Sequence, residues 1–343
     1  MTQAADRGPD PDRTRIGPAT GYRVALEEVG GEPAIVVAGP DDECRASIAL
    51  RGATLLSWLV GGTDLTDGYR GRAELAAQDG VRNGILAPFP NRIAGGRYRF
   101  AGTDCDLLPG VRGDRTVYHG FARTAQFELV EAVATVGGAR IVLRTQETRP
   151  GRHPGYPFAL DIEVEYAVAA RRFAIEIRAT NVGDRTAPYA AGWHPYFRLG
   201  AAIDDLTLQI PAETIILTDE ALIPVPGRAA YASLDRRPEL DFRSPRRLAD
   251  CVIDACFADL RAESVLRDPA TGEELRIGQT SGLMHVFTGD TLARDRRASV
   301  ALEPVEVPTD AFNRAECSAA LLLEPGRTRS FGFSVTYATC PAV

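Results

Sequence analysis

Between Phe158 and Tyr166 every second residue is apolar: Phe158, Leu160, Ile162, Val164 and Tyr166, with Asp161, Glu163 and Glu165 between them. A period of two sends successive side chains to opposite faces, so this stretch folds as a strand with one dry face and one wet face. The next run repeats the pattern, with Phe173, Ile175 and Ile177 set against Glu176 and Arg178. The short break between the two runs predicts an antiparallel hairpin.

The same period recurs along the chain at 23–26, 34–37, 46–50, 97–100, 140–145, 206–210, 264–267, 275–277, 284–287, 299–303 and 331–337. Turn-forming residues separate nearly all of these runs. Asp268-Pro269-Ala270-Thr271-Gly272 is the plainest hairpin loop among them. Amphipathic helical periodicity is weak, and the expected fold class is therefore all-β: a large antiparallel β-sandwich or a closed arrangement of short strands. Residues 1–20 are rich in Gly, Pro, Asp and Arg and are expected to form a disordered leader. No linker-like shift in composition follows, so residues 21–343 are expected to form a single domain.

Composition narrows the chemistry. The sequence has no lysine, and all 39 basic residues are arginine. Schiff-base, pyridoxal phosphate and Walker-type phosphate chemistry each require an amine that no side chain here supplies. The sequence contains no GxSxG, GxGxxG or HExxH motif. The six cysteines are scattered without metal-ligand spacing, and reduced thiols are expected. A formal charge of -7 argues against general nucleic-acid affinity, and there is neither a secretory-signal pattern nor a membrane-length apolar run. A cytoplasmic protein acting through histidine, carboxylate and arginine is the expectation.

Those residue types concentrate in a few places. In Gly192-Trp193-His194-Pro195-Tyr196-Phe197 a proline interrupts a strand and sets a histidine among aromatic rings; His194 either faces a cleft or is a packed core residue. Pro90-Asn91-Arg92-Ile93 places an amide and a guanidinium on a shaped loop, suited to a hydroxylated or anionic ligand or to loop carbonyls. His119, in Tyr118-His119-Gly120-Phe121, either donates to a ligand oxygen or caps a turn. Asp254 sits in an apolar run and requires a partner, either ligand hydroxyls or an arginine. Glu303 is read as closing a strand just before Pro304, where burial can raise its pKa toward that of a useful general base. His285 lies on an apolar strand, either in the core or facing the same cleft, and His153 is read as a loop residue without a role.

Taken in order, Pro90-Asn91-Arg92-Ile93 with Gly96-Arg97-Tyr98, His119-Gly120, Gly192-Trp193-His194-Pro195-Tyr196-Phe197, Asp254 with Cys256-Phe257, Leu302-Glu303-Pro304 with Asp310-Ala311-Phe312-Asn313, and Leu323-Glu324-Pro325-Gly326 resemble the aldose 1-epimerase (mutarotase) family. The resemblance implies a galactose-mutarotase-like β-sandwich, a small sugar as substrate, and no metal or organic cofactor. It implies Glu303 as general base and His194 as general acid, with Arg92, His119 and Asp254 holding substrate and Asn91 and Tyr196 beside them. The family often carries glutamine where His285 stands, and many sugar mutarotases differ at Pro195. The expected activity is interconversion of aldohexose anomers by opening and reclosing the ring. The alternatives are the same chemistry on a modified or phosphorylated sugar or another hemiacetal, and a non-catalytic carbohydrate-binding module.

Overall fold

The computed structural model describes residues 15–17 and 20–340. The leader expected over residues 1–20 therefore lies largely outside the described residues. Within them, Arg15–Ile16 pairs antiparallel with Arg23–Val29, so regular pairing reaches ahead of the boundary expected at Gly21.

Alternating hydrophobicity forms the hairpin it predicts. Leu160–Ala169 and Arg172–Asn181 pair antiparallel, with Val164 opposite Ile177 and Tyr166 opposite Ile175. Their apolar side chains are buried and the intervening acids and Arg178 form ion pairs on the outer face. The hairpin belongs to a nine-stranded antiparallel sheet, in the order Glu128–Ala134, Ala139–Thr148, Leu160–Ala169, Arg172–Asn181, Thr328–Thr339, Glu273–Gln279, Ser264–Arg267, Thr207–Gln209 and Arg246–Arg247. The loop from Asp268 to Gly272 closes the hairpin expected of it, through a bond from Gly272 N–H to Asp268 O of 2.9 Å.

A six-stranded sheet spans Arg15–Ile16 to Thr63–Asp64 in sequence order. An eight-stranded sheet takes Tyr231–Ser233, Thr214–Ile216, Asp254–Ala258, Leu283–Phe287, Val300–Val305, Gly192–Trp193 and Ile85–Leu86, with Tyr196–Phe197 also paired to Val300–Val305. One continuous apolar core joins the three sheets, including Ile48 and Trp58, Tyr166 and Phe173, and Val286 and Leu302. Trp193 of the eight-stranded sheet stacks on Phe333 of the nine-stranded sheet with centroids 5.2 Å apart. The protein is thus a large, mostly antiparallel β-sandwich, as the alternation implied. No described helix is long and apolar enough to cross a membrane.

Several strands, among them Glu128–Ala134 and Asp254–Ala258, lie outside the runs read from sequence, and two differences have a clear physical cause. Thr54–Val60 is a strand that alternation does not reveal, because it is buried along most of its length on both faces and its apolar residues Leu55, Leu56, Trp58, Leu59 and Val60 follow no period of two. Glu303 does not close its strand: Val300–Val305 continues through Pro304, which sits opposite Met284. The backbone N–H groups at alternate positions face the same neighbour, and Leu302 N–H donates to Pro195 O at 3.2 Å. The N–H that Pro304 lacks would face that same flank, where Glu306 N–H donates to Ala191 O at 2.9 Å, so the strand continues through the proline with a backbone bond on either side of the missing one.

Gly120 illustrates how tightly the loops are laid on this frame. Its φ is +62°, and a Cβ there would come within 2.1 Å of Ala87 O and 2.7 Å of Pro88 N. Gly95 has a similar φ of +58° but has nothing within 4 Å. Gly120→Ala is therefore expected to cost roughly 2 kcal/mol or more, against about 1 kcal/mol for Gly95→Ala, by urea denaturation. Equal losses would show that backbone angle alone matters at both positions.

Candidate active site

The register of three neighbouring strands assembles the chemistry. Cys256 lies directly opposite His285, and His285 directly opposite Glu303. Directly paired residues share a face, as does Asp254 two positions before Cys256, so Asp254, His285 and Glu303 form a row across one side of the sheet. Tyr196 joins the same face opposite Ala301, two positions from Glu303. The other face, with Met284, Val286, Val300 and Leu302, is packed into the main core.

His194 enters this row from the break between Gly192–Trp193 and Tyr196–Phe197. Asn83 fixes that break: it holds a φ of +55°, its N–H donates to His194 O at 2.8 Å, and its Oδ1 accepts from Tyr196 N–H at 2.9 Å. Its carbonyl oxygen accepts from Trp193 Nε1 at 3.0 Å. The imidazole is stacked on Tyr196, with centroids 5.1 Å apart and planes 12° from parallel, and its Nε2 lies 3.3 Å from Glu303 Oε1.

The opposite wall comes from the loops. Arg92–Ile93 pairs with Val117–Tyr118, bringing Asn91 and His119 together. Both residues have left-handed φ, +54° and +65°. His119 N–H donates to Asn91 O at 2.9 Å, and Asn91 N–H donates to His119 Nδ1 at 3.1 Å. With Nδ1 accepting, a neutral His119 carries its proton on Nε2 and can donate it to a ligand. Asn91 Oδ1 orients Arg92 by accepting from its N–H at 2.8 Å and its Nη1 at 3.3 Å. No carboxylate among the described residues is within ion-pairing distance of Arg92, which leaves the rest of its fork for a ligand.

All eight residues singled out from sequence, Asn91, Arg92, His119, His194, Tyr196, Asp254, His285 and Glu303, line one cavity of about 200 Å³. A larger hollow lies on the outer face of the nine-stranded sheet, among Glu165, Arg172, Gln279 and Thr280, but it gathers no histidine and no buried carboxyl group. Tyr118, beside His119, also lines it, and the sequence reading missed Asp79, Gly80, Val81, Phe287, Thr291 and Leu292, which complete the cavity. Phe287 lies two positions from His285 on Leu283–Phe287 and shares its face, so the strand period could have found it; the others of these six come from irregular segments, where no period marks a side chain's direction, and only Asp79-Gly80 carries a turn signal. His153 is not idle either: it stacks on Phe121, with centroids 4.0 Å apart, just beyond Gly120.

Burial and neighbouring charge set the protons. Glu303 is 1% exposed, and loss of solvent pushes its carboxyl up to about 8 despite the opposing pull of His285. Burial pushes His194 down to about 3, with the His285 charge acting in the same direction. Although the two groups touch, each is therefore driven to its neutral form near pH 7. His119 is likewise held well below the usual histidine range by burial and by neighbouring His194 and Arg123. His285 behaves in the opposite way. Burial would lower it, but Glu303 and the 2.8 Å contact of its Nε2 with Asp254 Oδ1 lift it well above 6.5. Asp254 is disfavoured as an anion by burial, yet His285 and Arg92 hold it below the usual carboxylate value. The pair is an imidazolium–carboxylate ion pair set beside a neutral acid and a neutral base.

The chain matches the aldose 1-epimerase family over residues 35–336 and belongs to that family. It is 29% identical to the uncharacterized protein YihR of Escherichia coli K12 over 257 residues, 73% of this chain and 77% of that protein. In fold it is similar to a galactose 1-epimerase from Lactobacillus acidophilus (TM-score 0.78, 15% identity, covering 93% of this chain and 99% of the other). A putative aldose 1-epimerase from E. coli K12 is similar as well (TM-score 0.73, 19% identity, 93% and 100%).

The raised Glu303 pKa carries a stability consequence with a definite sign. A carboxyl group at 4.5 when unfolded and about 8 when folded binds its proton more tightly in the native state. Its contribution is complete below pH 4.5 and is lost as pH rises through about 8. Glu303→Gln has no proton to lose. Its stability relative to wild type is expected to rise by roughly 2 kcal/mol or more between pH 5 and pH 9 in urea unfolding. A pH-independent difference would mean that Glu303 titrates normally.

Proposed function

We propose that the protein is an aldose 1-epimerase that interconverts the α and β anomers of a free aldohexose. The observation that carries this reading is the contact of 3.3 Å between His194 Nε2 and Glu303 Oε1 in a cavity of monosaccharide size. Opening the ring of a cyclic hemiacetal takes a proton from the C1 hydroxyl and gives one to the ring oxygen. Rotation about the C1–C2 bond and closure on the other face then inverts C1. A base and an acid that share one proton suffice for both halves.

Glu303 and His194 form that pair. Near pH 7 the proton of the pair resides on Glu303; when a sugar separates the two groups, one takes the hydroxyl proton while the other protonates the ring oxygen, and the roles exchange on closure. Each contributes roughly 10²- to 10⁴-fold. His119 Nε2–H and the free part of the Arg92 fork stabilise negative charge on the sugar oxygens. Asp254, fixed by His285, accepts from sugar hydroxyls. The six free cysteines favour a reducing compartment such as the cytoplasm.

Proton NMR exchange between anomers across a panel of aldoses tests the reading. Wild type should accelerate exchange of at least one free aldohexose, and Glu303→Gln should lose about 10²-fold or more. Because the pair must retain one proton, kcat/KM should fall as pH rises through about 8, following Glu303. Sugar binding by calorimetry without faster exchange would instead make the protein a carbohydrate-binding module, and exchange restricted to sugar phosphates would move the substrate to that class.

A further inference from the structure

Behind Tyr196 lies a guanidinium that the chemistry above does not use. Arg82 is 0% exposed and forms an ion pair with Asp67, itself 5% exposed. Arg82 Nη2 also donates to Arg294 O at 3.1 Å, and its backbone N–H donates to Tyr69 Oη at 2.9 Å. Asp67 is further satisfied by Ser299 Oγ at 2.8 Å and Arg294 Nη1 at 2.9 Å. Its Nε is buried and meets no hydrogen-bond acceptor among the described residues, and the planar face of the cation meets an aromatic ring instead: Arg82 Cζ sits 5.0 Å from the centroid of the Tyr196 ring.

Tyr196 is in turn fixed at both ends. Its Oη donates to Gly80 O at 2.8 Å and its N–H to Asn83 Oδ1 at 2.9 Å. Its ring then stacks on His194. A catalytic imidazole ordinarily has its second nitrogen held by a carboxylate or a carbonyl, which fixes tautomer and plane. Here His194 Nδ1 is buried and meets no hydrogen-bond partner among the described residues. Ring contacts must do that work, from Tyr196 in a near-parallel stack and from His119 edge-on at 5.1 Å.

We propose that Arg82 is a positioning residue: anchored by Asp67, it holds the Tyr196 ring in place, and that ring sets the plane of the His194 imidazole against Glu303. The inference rests on the reading of His194 and Glu303 as the acid–base pair. It also explains why a buried cation lies beside an imidazole that works from its neutral form, since a positive charge at that distance opposes protonation of His194.

The test uses the full-length protein with Arg82→Gln, and Tyr196→Leu as a second variant that removes the ring while leaving the Arg82–Asp67 pair in place. The chain has four histidines, so four Cε1–H resonances report on the rings and each is assignable by substitution. Both folded variants should lower kcat by about 10-fold or more, and Arg82→Gln, whose side chain lies outside the cavity lining, should change KM by less than about 2-fold, as a small misplacement of a reacting group does. In both, the His194 resonance should shift or broaden while that of distant His153 stays in place. A folded Arg82→Gln protein with wild-type kcat, or with its His194 resonance unmoved, would overturn the proposal. So would a Tyr196→Leu protein without either effect, should Arg82→Gln fail to fold. If wild type exchanges the anomers of no sugar, the functional reading falls, and the His194 resonance alone then decides the role of Arg82.

Discussion

A carboxyl group on an inner strand of a sheet, 1% exposed and touching no arginine among the described residues, is the constraint to which the rest of the site responds. Water would ionise Glu303 at ordinary pH, whereas its surroundings push it to about 8. An unpaired carboxylate at such depth would cost several kcal/mol, so the proton remains. With the proton on Glu303, the adjacent His194 need not carry charge, and burial keeps it neutral as well. Two groups that would form an ordinary ion pair at the surface instead sit poised to divide one proton.

The ion pair next to them follows from the same logic. His285 is directly opposite Glu303 in register and diagonal to Asp254, so it has carboxyl groups on both sides. Only Asp254 meets it as a partner at 2.8 Å. That contact consumes the positive charge locally, and Glu303 feels a compensated pair instead of a bare cation. A neutral glutamine at the position of His285 could hydrogen-bond Asp254 but could not neutralise it. Asp254 would then lean on Arg92, whose fork is otherwise open to the ligand.

Much of this was legible in the sequence because strands impose a rigid code. Alternation located the hairpin of Leu160–Ala169 and Arg172–Asn181, and the proline after His194 marked a real interruption in a sheet. The code failed where burial on both faces erased the period, as in Thr54–Val60. It failed again at Pro304, where a proline read as a strand end lies inside the strand because the bonds of Leu302 and Glu306 on either side hold it in the sheet. The cavity's far wall was less legible still. Val81, Thr291 and Leu292 owe their place to loop paths, and those paths depend on long-range contacts such as Arg294 with Asp67 that no local pattern encodes. Arg82 was invisible for a related reason: arginine in a loop is ordinarily a surface residue, and only the fold reveals that this one is enclosed.

The two faces of the eight-stranded sheet divide the labour of the fold. One face is apolar and continuous with the core shared by all three sheets, so stability comes from the side where Val286, Val300 and Leu302 are packed. The other face carries ionisable groups whose burial is costly, and it is roofed by short segments held through specific hydrogen bonds, such as Asp310 N–H to Arg92 O at 2.8 Å. Alternation along a strand makes this separation possible, since Leu302 and Glu303 are neighbours in sequence yet face different environments. The apolar face fixes the strand positions rigidly, and that rigidity sets the spacing of Asp254, His285 and Glu303 on the reverse side. A shift of register by one residue would exchange the two faces, placing the carboxyl groups in the core and the leucine in the cavity, and the energy of that core is what forbids it.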